Sequence, residues 1–139
     1  MTKLHFSWFI FTVFILFSSW SAAQDAPDTL AGTWELVDGW VITKDEEIKY
    51  DIDGIRSRKM LNGTDFAFVS KKQGEFWAAS TGEYQIVGNQ YTEIPQLLSY
   101  DVAEGTTYVF SFRLEGDDWY TERKEDGKVV EREHWRRIR

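Results

Sequence analysis

Two acids stand two residues apart near the end of the chain, Glu131 and Glu133, and a phenol and an acid share that spacing earlier, Tyr91 and Glu93. A spacing of two puts both members of a pair on one face of an extended strand, roughly 7 Å apart by strand rise. Two carboxylates so placed could serve as general acid and general base. Tyr91 and Glu93, preceded by Gly82-Glu83-Tyr84, form instead a polar–aromatic surface that could hold the polar end of an amphipathic ligand. If Trp135 points inward, so do Glu131 and Glu133, and burying them demands cations such as Arg58 or Arg113. If His134 points inward, Arg132 and Arg136 accompany it. The alternation permits either register, and a solvated charged face accounts for the same pattern without chemistry.

Other chemistries find few residues. The chain has no cysteine, and past its first few residues His134 is the only histidine. Ordinary zinc or copper sites thus lack ligands, and no metal or cofactor is implied. A Ser-His-Asp triad would have to use His134 and lacks a Gly-x-Ser-x-Gly elbow, so no catalytic residue is assigned. Asp51-Ile52-Asp53-Gly54 looks like part of a calcium loop. Its register, however, puts Lys49 at the first ligand position and Met60 at the twelfth, so it reads as a turn.

The elements that must position these residues are strands. Asn62-Gly63, Gln73-Gly74, Gly88-Asn89, Gly116-Asp117 and Asp126-Gly127 are hairpin signals at short intervals. Between them the apolar residues alternate: Tyr108, Phe110, Phe112 and Leu114 share one face, as do Phe66 and Phe68, then Tyr84 and Ile86. Only Thr43 to Tyr50 predicts a short helical turn. The pattern predicts an all-β fold, a single antiparallel up-and-down meander barrel of about eight to ten strands, in which closure removes exposed edges. Phe66, Phe68, Tyr84, Tyr91, Glu93, Tyr108, Phe110, Phe112 and Trp119 would line its interior, either as the wall of a ligand pocket or as a filled core.

Ahead of the barrel, Lys3 and His5, an apolar run from Phe6 to Phe17, and Ser21-Ala22-Ala23 follow the order of a secretory signal peptide, residues 1–23, cut after Ala23. Residues 24–29 would be a flexible leader and residues 30–139 the domain, secreted or periplasmic. The run is short for a membrane span, so no stable membrane insertion is expected after cleavage. A net charge of −7 argues against nucleic acid and against anionic membrane surfaces. Asn62-Gly63-Thr64 is also an N-glycosylation sequon, usable only in a eukaryotic export route.

Gly32-Thr33-Trp34, at the start of the first strand of such a meander, resembles the Gly-x-Trp signature of the calycins, which comprise the lipocalins and the intracellular fatty-acid-binding proteins. That resemblance implies that Trp34 closes one barrel end beneath an Arg from the last strand, Arg136 or Arg137 near Trp135, with Gly32 admitting close packing. The chain is also similar to small, secreted, uncharacterised lipocalin-like bacterial proteins. The similarity runs through "GTWELV", "FAFV" (66–69), "GEYQIVGNQYTE" (82–93), "EGDDWY" (115–120) and "EHWRRI" (133–138), across nearly the whole domain. It departs from the family where Thr64-Asp65 follows an early hairpin, where no room exists for a helical lid between Val41 and Ile55, and where Arg132-Glu133-His134 replaces the Arg and Tyr that hold a fatty-acid carboxylate. The resemblance implies non-catalytic binding of a small hydrophobic or amphipathic molecule. The other readings are an interaction or inhibitor module with a filled core, and a barrel enzyme, isomerase or hydrolase.

Overall fold

The computed structural model describes residues 28–44 and 46–139. The expected signal peptide and residues 24–27 lie outside the described residues. Nine strands follow in order: β1 (Gly32–Thr43), β2 (Glu46–Lys49), β3 (Ile55–Leu61), β4 (Asp65–Lys72), β5 (Glu75–Val87), β6 (Gln90–Leu98), β7 (Tyr108–Glu115), β8 (Asp118–Glu125) and β9 (Lys128–Ile138). From β3 to β9 each strand pairs antiparallel with the next, β1 pairs with β3, and β9 returns to β1. Eight strands therefore close an up-and-down barrel, with β2 as an extra strand outside the ring.

Thr43–Tyr50 is not a helical turn. Lys44 takes a positive φ of 51°, and Glu46–Lys49 pair back onto Trp40–Thr43. Glu and Lys favour helix by only tenths of a kcal/mol each and Asp disfavours it, too little to oppose a ready strand edge and the burial of Ile48. The hairpin signals between β4 and β5, β5 and β6, β7 and β8, and β8 and β9 all sit at two-residue turns. At Asn62 the turn is longer, and its side-chain oxygen accepts the backbone N–H of Thr64 and of Asp65 at 3.1 and 2.8 Å. Asp51 to Gly54 also forms a turn, in which the Asp53 carboxylate accepts the Lys49 N–H at 2.8 Å.

One end of the barrel is shut. Trp34 is 0 % exposed, and its indole N–H donates to the Leu30 carbonyl at 2.9 Å. The Arg137 guanidinium lies 4.1 Å over the Trp34 ring and donates to the carbonyls of Thr29, at 2.7 Å, and Ala31. Arg136 faces outward instead, to Asp118 at 3.0 Å. Gly32 has a φ of 139°, and a Cβ there would meet an Arg137 nitrogen at 2.5 Å. Asp28, counted with the leader by sequence, belongs to this end: its carboxylate accepts the Leu30 N–H at 2.9 Å and the Tyr84 hydroxyl. Beneath lie Trp119, Trp135, Tyr91 and Phe66, all nearly fully buried. The Trp34 and Trp119 ring centroids stand 5.2 Å apart, as do those of Tyr91 and Trp119, which meet edge to face.

The wall also needs a sharp corner. A Cβ on Gly82 would stand 2.1 Å from the Ile94 carbonyl oxygen. The β5–β6 register shifts there, between Thr81 and Gly82. A bare glycine lets the two backbones approach and the sheet fold around its axis.

Candidate functional site

Strand β9 settles which of its faces is buried. Leu36 of β1 and Trp119 of β8 both pair with Trp135, which is buried, so Trp135, Glu133 and Glu131 project inward. His134 projects outward, its ring stacked on Tyr120 at 4.5 Å and its nitrogens 2.8 Å from Asp118 and 3.3 Å from Asp38. The acids do find cations, but not the expected ones. Arg58 and Arg113 are exposed, and Arg113 pairs outside with Glu115 at 2.7 Å. The inner partners are Lys59 and Arg123.

Lys59 is 3 % exposed and sits on the barrel axis. Its ammonium donates to Glu93 at 2.6 Å and lies 3.9 Å from Glu133. Around it stand the rings of Phe68, Tyr91, Phe110, Trp119 and Trp135, with centroids 4.9–5.9 Å away. Each ring face is negative, so the cage stabilises the cation as well as excluding water. Every acid is also tethered: Tyr91 donates its hydroxyl to Glu93 at 2.9 Å, while Thr121 and the Trp135 indole donate to Glu133 at 3.1 and 2.9 Å. Burial alone disfavours the charged form of Lys59. The carboxylates of Glu93 and Glu133 outweigh it and hold the ammonium above the usual lysine range. Lys59 is therefore charged at neutral pH and is no free amine nucleophile.

A second pair lies toward the opposite end, where Ile48, Tyr50 and Ile55 are also buried. Arg123 donates to Glu131 at 2.6 Å, Tyr50 donates to the same carboxylate at 3.0 Å, and Arg123 also meets Glu125. Burial, with the charge of Glu133 added, raises the Glu131 carboxyl to about 7, although Arg123 and Tyr50 pull the other way. Facing this pair, the inward positions on β3, β4 and β5 are small and polar: Ser57, Ser70 and Ser80, all buried. Ser57 and Ser70 bond each other at 2.6 Å. The Ser80 hydroxyl completes no well-formed hydrogen bond, although the Tyr100 phenol approaches it from the β6–β7 loop.

All nine residues expected along the interior lie inside. Phe66, Tyr84, Tyr91, Phe110 and Trp119 belong to the core cluster, Phe68, Tyr108 and Phe112 pack against it, and Glu93 is the buried acid of the axis. The structure brings Tyr91, Glu93, Phe68, Phe110 and Trp119 together around Lys59 and leaves Phe112 toward the closed end, beside Trp119's strand. Lys59 itself went unforeseen. Its signal was present in "IRSRKML": Ile55 and Leu61 share a face, and Lys59 falls on that face by period two.

The outer wall carries a different surface. Between β3 and β6, Met60, Ala67, Thr81 and Leu97 form one cross-strand row, and Val69 pairs with Ala79 in the next. Phe76 pairs with Lys71 at the rim, with Trp77 beside it at a register shift. Leu97 is 71 % and Phe76 62 % exposed, with Met60, Val69 and Trp77 exposed as well. A recess lined by Thr33, Met60, Leu61, Ala67 and Thr81 lies along this wall rather than along the axis.

The closed meander, with its Trp34–Arg137 end, is consistent with a calycin-like fold. Set against known proteins, the chain matches no family model and no curated protein sequence.

Proposed function

We propose that this chain is an exported, non-catalytic barrel that acts through its outer surface, an interaction module with a filled core. The observation that carries this reading is the Lys59–Glu93–Glu133 cluster, which occupies the axis where a carrier would hold its ligand. The aromatic cage that could bind a guest already encloses the protein's own ammonium. The wide apolar wall from Met60 to Leu97 supports the same reading, since large exposed patches mark contact surfaces.

A second reading keeps a small ligand but moves it to the end opposite Trp34. The Ser80 hydroxyl, with Arg123, Glu131 and Tyr108 opposite, would suit an amphipathic molecule whose polar end reaches Arg123 once Tyr100 swings aside. Native mass spectrometry of the protein recovered from its own cells separates the two. The surface reading expects the bare polypeptide mass. A stoichiometric adduct that disappears in Ser80→Leu, with the fold intact by circular dichroism, would replace it with the second.

A further inference from the structure

We propose that the wall of β3, β4 and β5 toward the end opposite Trp34 docks on an anionic lipid bilayer surface. The inference rests on the surface reading above and names its partner. Three outward cations, Arg56, Arg58 and Lys71, cluster on adjacent strands, with Arg56 directly opposite Lys71. Like charges so placed repel in the free protein. None of the three makes an ion pair among the described residues, whereas the outward Arg113, Arg132 and Arg136 each do. Glu35 stands across from Arg58, Glu75 flanks the rim, and Asp51 and Asp53 lie in the turn before β3, yet none of them forms an ion pair with these three cations. The aromatic and apolar side chains of Phe76, Trp77 and Val69 lie among these cations.

Cations interleaved with exposed aromatics are the composition of a lipid–water interface, where charge meets phosphate and rings enter the headgroup layer. The wall of a closed barrel is convex and offers a peptide no strand edge, which favours a broad, flat partner over a chain. The net charge of −7 had argued against such a partner, but it is a sum over the whole molecule. With the cations gathered on one wall, the acidic remainder is repelled by the bilayer and turns this wall toward it. Docking here is adsorption, with no strand crossing the membrane.

Sedimentation with vesicles tests it, using the protein as recovered from the exporting cell and every variant in the same form. Vesicles of equal parts phosphatidylglycerol and phosphatidylcholine should bind the protein at low salt, pure phosphatidylcholine far less, and 0.5 M NaCl should release it. At about fivefold per basic residue, Arg56→Glu with Lys71→Glu should weaken partitioning at least 25-fold. Phe76→Ser should weaken it several-fold. Against Arg56→Glu alone, Arg113→Glu, the same charge change on the opposite wall, should weaken it much less. Equal binding to both vesicle types, or equal loss in Arg113→Glu, overturns the proposal. So does capture of an acidic protein through Arg56 and Lys71 with no vesicle binding, but that outcome leaves the surface reading standing. A stoichiometric small-molecule adduct would instead remove the surface reading while vesicle binding is scored separately.

Discussion

The two ends of the barrel solve the problem of an interior in opposite ways. At the closed end, large rings fill the space; the Trp34 indole is tied to the Leu30 carbonyl and the Arg137 guanidinium to those of Thr29 and Ala31, while the Trp119 indole N–H is buried without a partner among the described residues. At the opposite end Ser57, Ser70 and Ser80 face inward beside Ile48, Tyr50 and Ile55, the Ser80 hydroxyl lacks a well-formed bond, and burial raises the Glu131 carboxyl to about 7. Between them Lys59 is held by two acids and five rings. Stability is concentrated where the large rings bury the most apolar area. Responsiveness to pH, or to a guest, is left to the end where serines and a raised carboxyl face inward.

The sharpest way to break the contrast is at the closed end. Trp34→Ala should cost about 4–5 kcal/mol, the upper part of the range for a fully buried Trp, because the Arg137 stack and the Leu30 bond go with it. Urea unfolding measures it, and a loss under 2 kcal/mol would mean the closed end is not the stabilising half. Lys59→Met should come next, at about 3–4 kcal/mol, since it strands Glu93 and Glu133 in an apolar interior. Adding Glu93→Gln should recover part of that loss in a double-mutant cycle. Additive losses would show that the two residues do not act as a pair.

Glu131→Gln should have the smallest effect, and one that depends on pH. The folded-state carboxyl lies at about 7, above its ordinary 4.5, so the native state holds that proton more tightly than the unfolded chain. The stability it contributes is complete below the ordinary value and is lost as pH rises through 7. From pH 5 to pH 8 the parent should therefore lose about 1–3 kcal/mol relative to Glu131→Gln. Parallel curves for parent and variant would refute this, as would a gain for the parent.

Much of this contrast was legible in the residues. Hairpin glycines and period-two aromatics predict the meander, and Gly32-Thr33-Trp34 with Arg137 marks the closed end, because turn chemistry and alternation are local. What was hidden depends on neighbours far along the chain. The choice between Trp135 and His134 as the inward residue is made by pairing with Leu36 and Trp119. Arg58 and Arg113 looked suitable for Glu131 and Glu133, but a one-residue step puts Arg58 outside and Lys59 inside. Gly82 gives no sign by sequence that a backbone 2.1 Å from any Cβ requires it.

The pairing of β1 with β9 has a consequence for how the molecule is made. Its eight residue pairs, from Thr33↔Ile138 to Val41↔Glu131, join the first described strand to the last. Synthesis runs from one to the other, so successive hairpins can form as they appear while the ring stays open until β9 arrives. Until then β1 and β8 each present an unpaired edge that can recruit another chain. Closing a loop of about a hundred residues is also entropically slow. The vulnerable interval in the life of this protein is the wait for its final stave.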